Sequence, residues 1–239
     1  MPLPKIATPT YELELPSTGK TIQYRPFLVK EEKLLVLALE SEDVKEITTA
    51  IKNVIKSCIQ TRGIKVDTLP TFDIEYLFLN IRGKSVGEEL EVKLLCPDDN
   101  ETYVPVTIPI DEIGIIKNDT HNNKIKLDNS LMMEMKYPSL AEFIKNNFDF
   151  GKDASMDQSF DLIASCVDKI YNEEEVWVAA DCTKKEMTAF LDQMNSSQFK
   201  EIETFFETMP KLSHTVKVTN PKTKVESEIV LEGLSSFFG

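Results

Sequence analysis

Pro70-Thr-Phe-Asp-Ile-Glu-Tyr-Leu-Phe-Leu-Asn-Ile-Arg-Gly83, followed shortly by Glu89-Leu-Glu-Val-Lys-Leu-Leu95, contains the change of period that decides the fold. In the first stretch Phe72, Ile74, Leu77, Phe78 and Ile81 recur at helical spacing, and Gly83 fits a helix stop. In the second, apolar and charged residues alternate as in a half-buried strand. Cys96-Pro-Asp-Asp-Asn-Glu turns that strand, and Tyr103 to Ile110 returns. A helix followed by an antiparallel hairpin, with no β-α-β alternation, predicts an α+β protein: helices with short antiparallel β-hairpins.

On the N-terminal side, Tyr11-Glu-Leu-Glu-Leu and Thr21-Ile-Gln-Tyr-Arg flank Pro16-Ser-Thr-Gly19 as a hairpin. Lys30-Glu-Glu-Lys opens a helical stretch whose stripe is Leu34, Leu35, Leu37 and Ala38. Ser41-Glu-Asp interrupts it. Asp43 is a candidate N-cap for a second helix carrying Val44, Ile47, Ile51, Val54 or Ile55, and Cys58, with Glu46 completing a capping pattern. That helix is amphipathic enough to pack on its own core or on a partner helix.

On the C-terminal side, Asn118 to Asn123 reads as a polar loop and Ile125 to Met135 as one strand. Ser139 caps a short helix through Leu140, Phe143 and Ile144, and Phe148 to Met156 reads as a loop. Phe160, Ile163, Ala164, Val167 and Ile170 mark a helix ended by Glu173-Glu-Glu. Thr183-Lys-Lys-Glu is a capping box. Ser197 to Met209 forms a helix with Phe199, Ile202, Phe205 and Phe206 inward. His214 to Thr219 and Val225 to Leu231 close a final hairpin through Asn220-Pro-Lys-Thr. Val92-Lys-Leu-Leu-Cys-Pro and Val216-Lys-Val-Thr-Asn-Pro resemble one another. They suggest two weakly repeated helix-plus-hairpin halves, with coincidence the equal alternative. The expected domains are 1–147, an N-terminal α+β domain, and 148–239, a C-terminal helical segment with the terminal hairpin.

The chain has 239 residues, with 27 Lys plus Arg against 40 Asp plus Glu and a net charge of −13. Such a balance disfavours phosphate-tracking nucleic-acid binding and attachment to an anionic membrane. The longest apolar run, Leu34 to Leu39, is far short of a membrane span, and the N-terminus lacks a signal-peptide pattern. Four scattered cysteines, Cys58, Cys96, Cys166 and Cys182, do not make a disulfide framework, which fits a soluble protein of a reducing cytosol.

Catalytic signatures are missing. No P-loop, no G-x-G-x-x-G and no G-x-S-x-G occurs. Cys96-Pro looks like half of a zinc knuckle, but Asp stands at 99 and Asn at 220 where further thiolates would be needed. Asp98-Asp-Asn-Glu lacks EF-hand spacing. The adjacent acids Glu31-Glu and Glu173-Glu-Glu read as solvated faces. His121 and His214 read as loop and strand-edge residues. No catalytic, metal-binding or cofactor-binding residue is assigned, and the protein is expected not to be an enzyme. A cysteine hydrolase using Cys96 or Cys182 with one of the histidines is the remaining enzymatic alternative. Phe237 and Phe238, in a terminal apolar segment, either dock back into the domain or serve a partner.

Several segments, in order along nearly the whole chain, resemble T4-like bacteriophage baseplate hub proteins, a family that includes a small hub subunit and a hub assembly catalyst. They are Leu15-Pro-Ser-Thr-Gly-Lys, Tyr24-Arg-Pro-Phe-Leu-Val-Lys-Glu-Glu-Lys-Leu-Leu, Leu69-Pro-Thr-Phe-Asp-Ile-Glu-Tyr-Leu-Phe-Leu-Asn-Ile-Arg, Met135-Lys-Tyr-Pro-Ser-Leu and Leu231-Glu-Gly-Leu-Ser-Ser-Phe-Phe. The resemblance implies a baseplate hub protein or assembly factor of contractile tails, working by protein–protein contacts, with no cofactor. It implies other baseplate hub proteins as partners, or the tape-measure protein if the chain is a chaperone absent from the virion. Its place would be the host cytoplasm during assembly, or the tail baseplate of the virion. The residues expected to matter for partner or fold are Arg25, Phe27, Glu31, Tyr137, Pro138, Leu234, Phe237 and Phe238. Arg25 and Glu31 are placed to pair across the hairpin-to-helix junction.

Overall fold

A computed structural model describes residues 6–140 and 156–238. The chain divides into two compact units, Met1–Ile116 with Lys211–Gly239, and Lys117–Pro210. The expected domain break, between 147 and 148, lies outside the described residues. The terminal hairpin belongs to the first unit rather than to a C-terminal segment, because its first strand pairs with residues 114–116.

In the first unit, β1 (Tyr11–Glu14) and β2 (Thr21–Tyr24) pair antiparallel, with Tyr11 opposite Tyr24. Gly19, at φ +68°, supplies the left-handed turn position. Leu15, Ile22 and Tyr24 are buried. The helices α1 (Val29–Glu40) and α2 (Val44–Cys58) follow. Asp43 caps α2, its carboxylate accepting the amides of Lys45 at 2.8 Å and Glu46 at 3.3 Å. Val54, Ile55 and Cys58 are buried and Ile47 and Ile51 half-buried, so α2 spends its apolar stripe on its own unit. Backbone bonds from Arg25 N–H to Cys58 O and from Gln60 N–H to Gln23 O tie the hairpin to the end of α2.

Helix α3 (Thr71–Val86) is the centre of this unit. Leu77, Leu79 and Ile81 are completely buried and Phe72, Ile74 and Phe78 nearly so. Three consecutive buried positions, 77 to 79, mean that α3 is covered on more than the one side its spacing suggests. It also runs past Gly83 and stops before Gly87, whose φ of +151° suits a helix end. Gly83 has a packing role instead: a Cβ there would lie 3.0 Å from Ile110 Cδ1.

Two hairpins share a core with α3. One is β3 (Glu89–Leu95) with β4 (Tyr103–Pro109), Val92 opposite Val106. The other, β10 (Lys211–Thr219) with β11 (Glu226–Glu232), is extended by β5 (Gly114–Ile116) into a sheet of order β11-β10-β5. Leu79, Leu90, Ile108, Leu212, Leu231 and Phe237 fill the common core. The two hairpin tips are built alike. Asn100 N–H donates to Cys96 O and Lys224 N–H to Asn220 O, and Asn100 and Lys224 have φ of +52° and +67°. The tips also meet: Asn220 Nδ2 donates to the Asp98 carboxylate at 3.1 Å, and Thr223 Oγ1 donates to Asp98 Oδ2 at 2.5 Å.

In the second unit a sheet of order β6-β7-β8-β9 packs with helices. Its strands are Lys124–Lys126, Met132–Met135, Val167–Tyr171 and Val176–Val178. The single strand expected over 125–135 is broken at Asp128, whose carboxylate accepts the amides of Ser130 and Leu131 at 2.7 Å each. Helix α4 (Met156–Cys166) ends before Val167. Val167 and Ile170 therefore belong to β8, where Ile170 pairs with Met133, and Glu173-Glu-Glu forms the β8–β9 turn. Helices α5 (Lys184–Leu191) and α6 (Ser196–Thr208) complete the unit. Thr183 and Glu186 form the expected capping box, and Asn195 caps α6. Met133, Cys166, Val167, Ile202 and Phe205 are core, whereas Phe199 and Phe206 are only half-buried. The helix expected from Ser139 and the loop expected over 148–156 fall mainly outside the described residues.

Candidate interaction surface

The junction between β2 and α1 is set by one buried carboxylate. Glu31 is 3 % exposed. Its Oε1 accepts from Arg25 Nη2 at 3.0 Å, and its Oε2 accepts the amide of Leu28 at 2.8 Å, so Glu31 closes the helix start from its third position. Burial alone would raise its pKa. The hydrogen bonds from Arg25 and the Leu28 amide, with the Arg25 charge, outweigh burial and hold it below the usual carboxylate range. Arg25 Nη1 also donates to Pro26 O at 2.8 Å. Phe27 is nearly buried, and its amide donates to Ser85 Oγ on α3 at 2.9 Å.

This clamp fixes how α1 lies. Glu31 and Ala38 are its buried positions and Leu35 is half-buried, a narrow inward stripe. The rest of the helix is apolar but open: Val29, Leu34, Val36, Leu37 and Leu39 are exposed, Leu37 by 63 %. The apolar stripe Leu34, Leu35, Leu37 and Ala38 is therefore split, with Ala38 buried, Leu35 half-buried and Leu34 and Leu37 left open. Six consecutive apolar residues turn through more than a full circle of helix, and a helix touching its own unit along one side cannot bury them all. That run was the signal that could have exposed the surface from sequence. A smaller apolar opening lies on the second unit, where Val176, Trp177 and Val178 are exposed on the edge strand β9 beside Glu173, Glu174 and Glu175. Nothing in the spacing pointed to it.

The other expected residues lie apart from the clamp. Leu234 donates its amide to Glu75 Oε1 on α3 at 3.1 Å. Burial pushes Glu75 up to about 7 despite that bond. Phe237 is docked in the core of the first unit at 2 % exposure, and the Phe238 side chain lies outside what is described. Tyr137 and Pro138 are on the second unit. Pro138 is buried, and Tyr137 stacks on His121 and Phe205 with ring centroids 5.6 and 5.8 Å away. The eight residues thus do not form one site. What the structure does unite is three of the resembling segments on α3. The Pro16 loop reaches it through Ser17 N–H to Asp73 Oδ1 at 3.0 Å, the Phe27 segment through Ser85, and the terminal segment through Glu75.

The chemistry of the remaining candidates is quiet. Burial raises Cys58 to about 11, and burial together with Asp98 and Asp99 raises Cys96, so both stay protonated thiols. His121 Nδ1 pairs with Thr208 Oγ1 at 2.9 Å, and His214 Nδ1 with Glu112 O at 3.1 Å. Among the described residues no cluster of His, Cys, Asp and Glu is placed to hold a metal ion. In the tip where a zinc knuckle would need further thiolates, Asp98, Asn220 and Thr223 hydrogen-bond to one another instead. Among the described residues no helix is long and apolar enough to cross a membrane.

The chain is thus an α+β protein whose most distinctive feature is an open apolar helix held at its start by the Arg25–Glu31 pair. The chain belongs to the family of T4 bacteriophage base plate proteins: the family model matches residues 8–239. Neither a curated protein nor a solved structure matches it.

Proposed function

We propose that this base plate family member is a baseplate hub protein or hub assembly factor that acts by protein–protein contacts in contractile-tail morphogenesis, and that it carries out no covalent chemistry. The observation that supports this reading is the open apolar face of α1. A helix with seven apolar residues in twelve is ordinarily covered, and this unit covers one narrow stripe of it. The partners proposed are other proteins of the baseplate hub. Cys96 kept protonated by burial beside Asp98 and Asp99, Cys182 Sγ donating to Val178 O at 3.6 Å, and histidines engaged with Thr208 and Glu112 fit a binding role better than the cysteine-hydrolase alternative.

Mass spectrometry of purified particles beside a pulldown from infected cells tests the reading. Presence in particles at a fixed ratio to hub proteins is the result expected of a hub subunit. Absence from particles with hub proteins in the pulldown is that expected of an assembly factor. Absence from both overturns the proposal, and capture of the tape-measure protein alone replaces it with the chaperone reading.

A further inference from the structure

We infer that the open face of α1 is covered by the α1 of a second copy of this chain, running antiparallel. Charge and spacing carry the inference. Leu34 and Leu37 are one turn apart and form the middle of an exposed stripe. Lys33 and Glu40 are seven residues apart, so they lie on nearly one line along the helix, beside that stripe and both exposed. Their signs are opposite. A parallel partner would place Lys33 against Lys33 and Glu40 against Glu40. An antiparallel partner centred between Val36 and Leu37 places Lys33 of each copy opposite Glu40 of the other, two ion pairs from one symmetric contact.

Lys30, at the start of the helix, is engaged within its own copy, its Nζ 3.3 Å from Glu31 Oε1, and takes no part in the contact. Glu32 points away from this stripe, on the side of Leu39. At a net charge of −13 two copies repel one another unless opposite charges are brought together, so the charge pattern selects this register against others. A twelve-residue helix is about 18 Å long, less than a standard interface requires, and the expected affinity is micromolar. The inference deepens the assembly reading by naming the occupant of its surface.

Sedimentation of the full chain across the micromolar range tests it, with circular dichroism on every variant to separate dissociation from unfolding. The wild type is expected to pass from the 27.2 kDa monomer to a dimer as concentration rises. Lys33→Glu and Glu40→Lys, each placing like charges opposite one another twice, are expected to weaken the dimer about tenfold. An equimolar mixture of the two variants restores a heterodimer, and the doubly reversed chain restores a homodimer. Leu37→Glu abolishes dimerisation while the fold persists. A wild type that stays monomeric, or a dimer indifferent to all these substitutions, or single reversals that the mixture does not rescue, each overturn the inference. A pulldown with the same samples keeps the two readings apart. A wild-type monomer that captures hub proteins overturns self-pairing alone, and a dimer that captures none overturns the assembly reading alone.

Discussion

Helices α1 and α3 are similar strings with opposite fates. Each mixes apolar residues around its whole circumference, Leu34-Leu-Val-Leu-Ala-Leu39 in one and Tyr76-Leu-Phe-Leu79 in the other. Around α3 two hairpins and the terminal turn pack on the Leu79 side and α2 lies against the helix as well, and Leu77, Leu79 and Ile81 reach zero exposure. Around α1 the Arg25–Glu31 clamp and α2 make the main cover among the described residues, and Leu37 keeps most of its surface. Hydrophobic composition therefore says that a helix is to be covered, but the number of elements the chain can bring to it says whether that happens within one molecule.

Substitution separates the two environments. The largest loss is expected for Phe237→Ala, which empties a core site against α3: about 3–5 kcal/mol in chemical denaturation. Glu31→Gln leaves the partly buried Arg25 guanidinium without its carboxylate partner and is expected to cost about 1–3 kcal/mol. Because Glu31 is held below its ordinary pKa, its contribution is present above the unfolded value and is lost as pH falls through the acid range. The Gln variant should therefore lose that part of the acid dependence. Gly83→Val drives a side chain against Ile110 and is expected to cost about 1–3 kcal/mol, read from the same denaturation curves.

A smaller effect concerns the Glu75 contact with the terminal turn. Its pKa is raised in the folded state to about 7, so the folded form holds the proton over a range in which the unfolded form has released it. Stability attributable to Glu75 falls as pH rises from the unfolded carboxylate pKa to about 7 and levels off above it. Glu75→Gln should flatten that slope in thermal melts taken from pH 5 to 8. The smallest effect is expected for Leu37→Ala, within about 0.5 kcal/mol at concentrations where the chain is monomeric. A loss there as large as that at Phe237 would erase the distinction between the two helices.

Much of the local structure was legible because it is written locally. Asp43 and Thr183 announce helix starts by cap chemistry alone, and Glu89 to Leu95 announces a strand by its period. The α4–β8 boundary was not legible, since Phe160 to Ile170 keeps helical spacing while Val167 and Ile170 are drawn into the sheet by pairing with β7. Gly83 reads as a stop, and only the approach of Ile110 explains why it sits inside a helix. The Arg25–Glu31 pair spans six residues and could be foreseen. The Glu75–Leu234 bond spans 159 and could not. The two -Pro- turns at 97 and 221 look alike in sequence, but nothing in the sequence says that Asp98 fastens one to the other.

The pairing of β5 with β10 also imposes a timetable. Ile116 and Lys211, opposite one another in the sheet, are 95 positions apart in the chain. At a ribosomal rate of about 5–20 residues per second, β5 waits roughly 5–20 s for its neighbour while the whole second unit is made. For that interval α3 has its first hairpin but lacks the sheet and the Phe237 plug that finish its cover. The nascent chain therefore shows two bare helices before it shows one, and an α1 surface kept for assembly is, for those seconds, in competition with its own unfinished core.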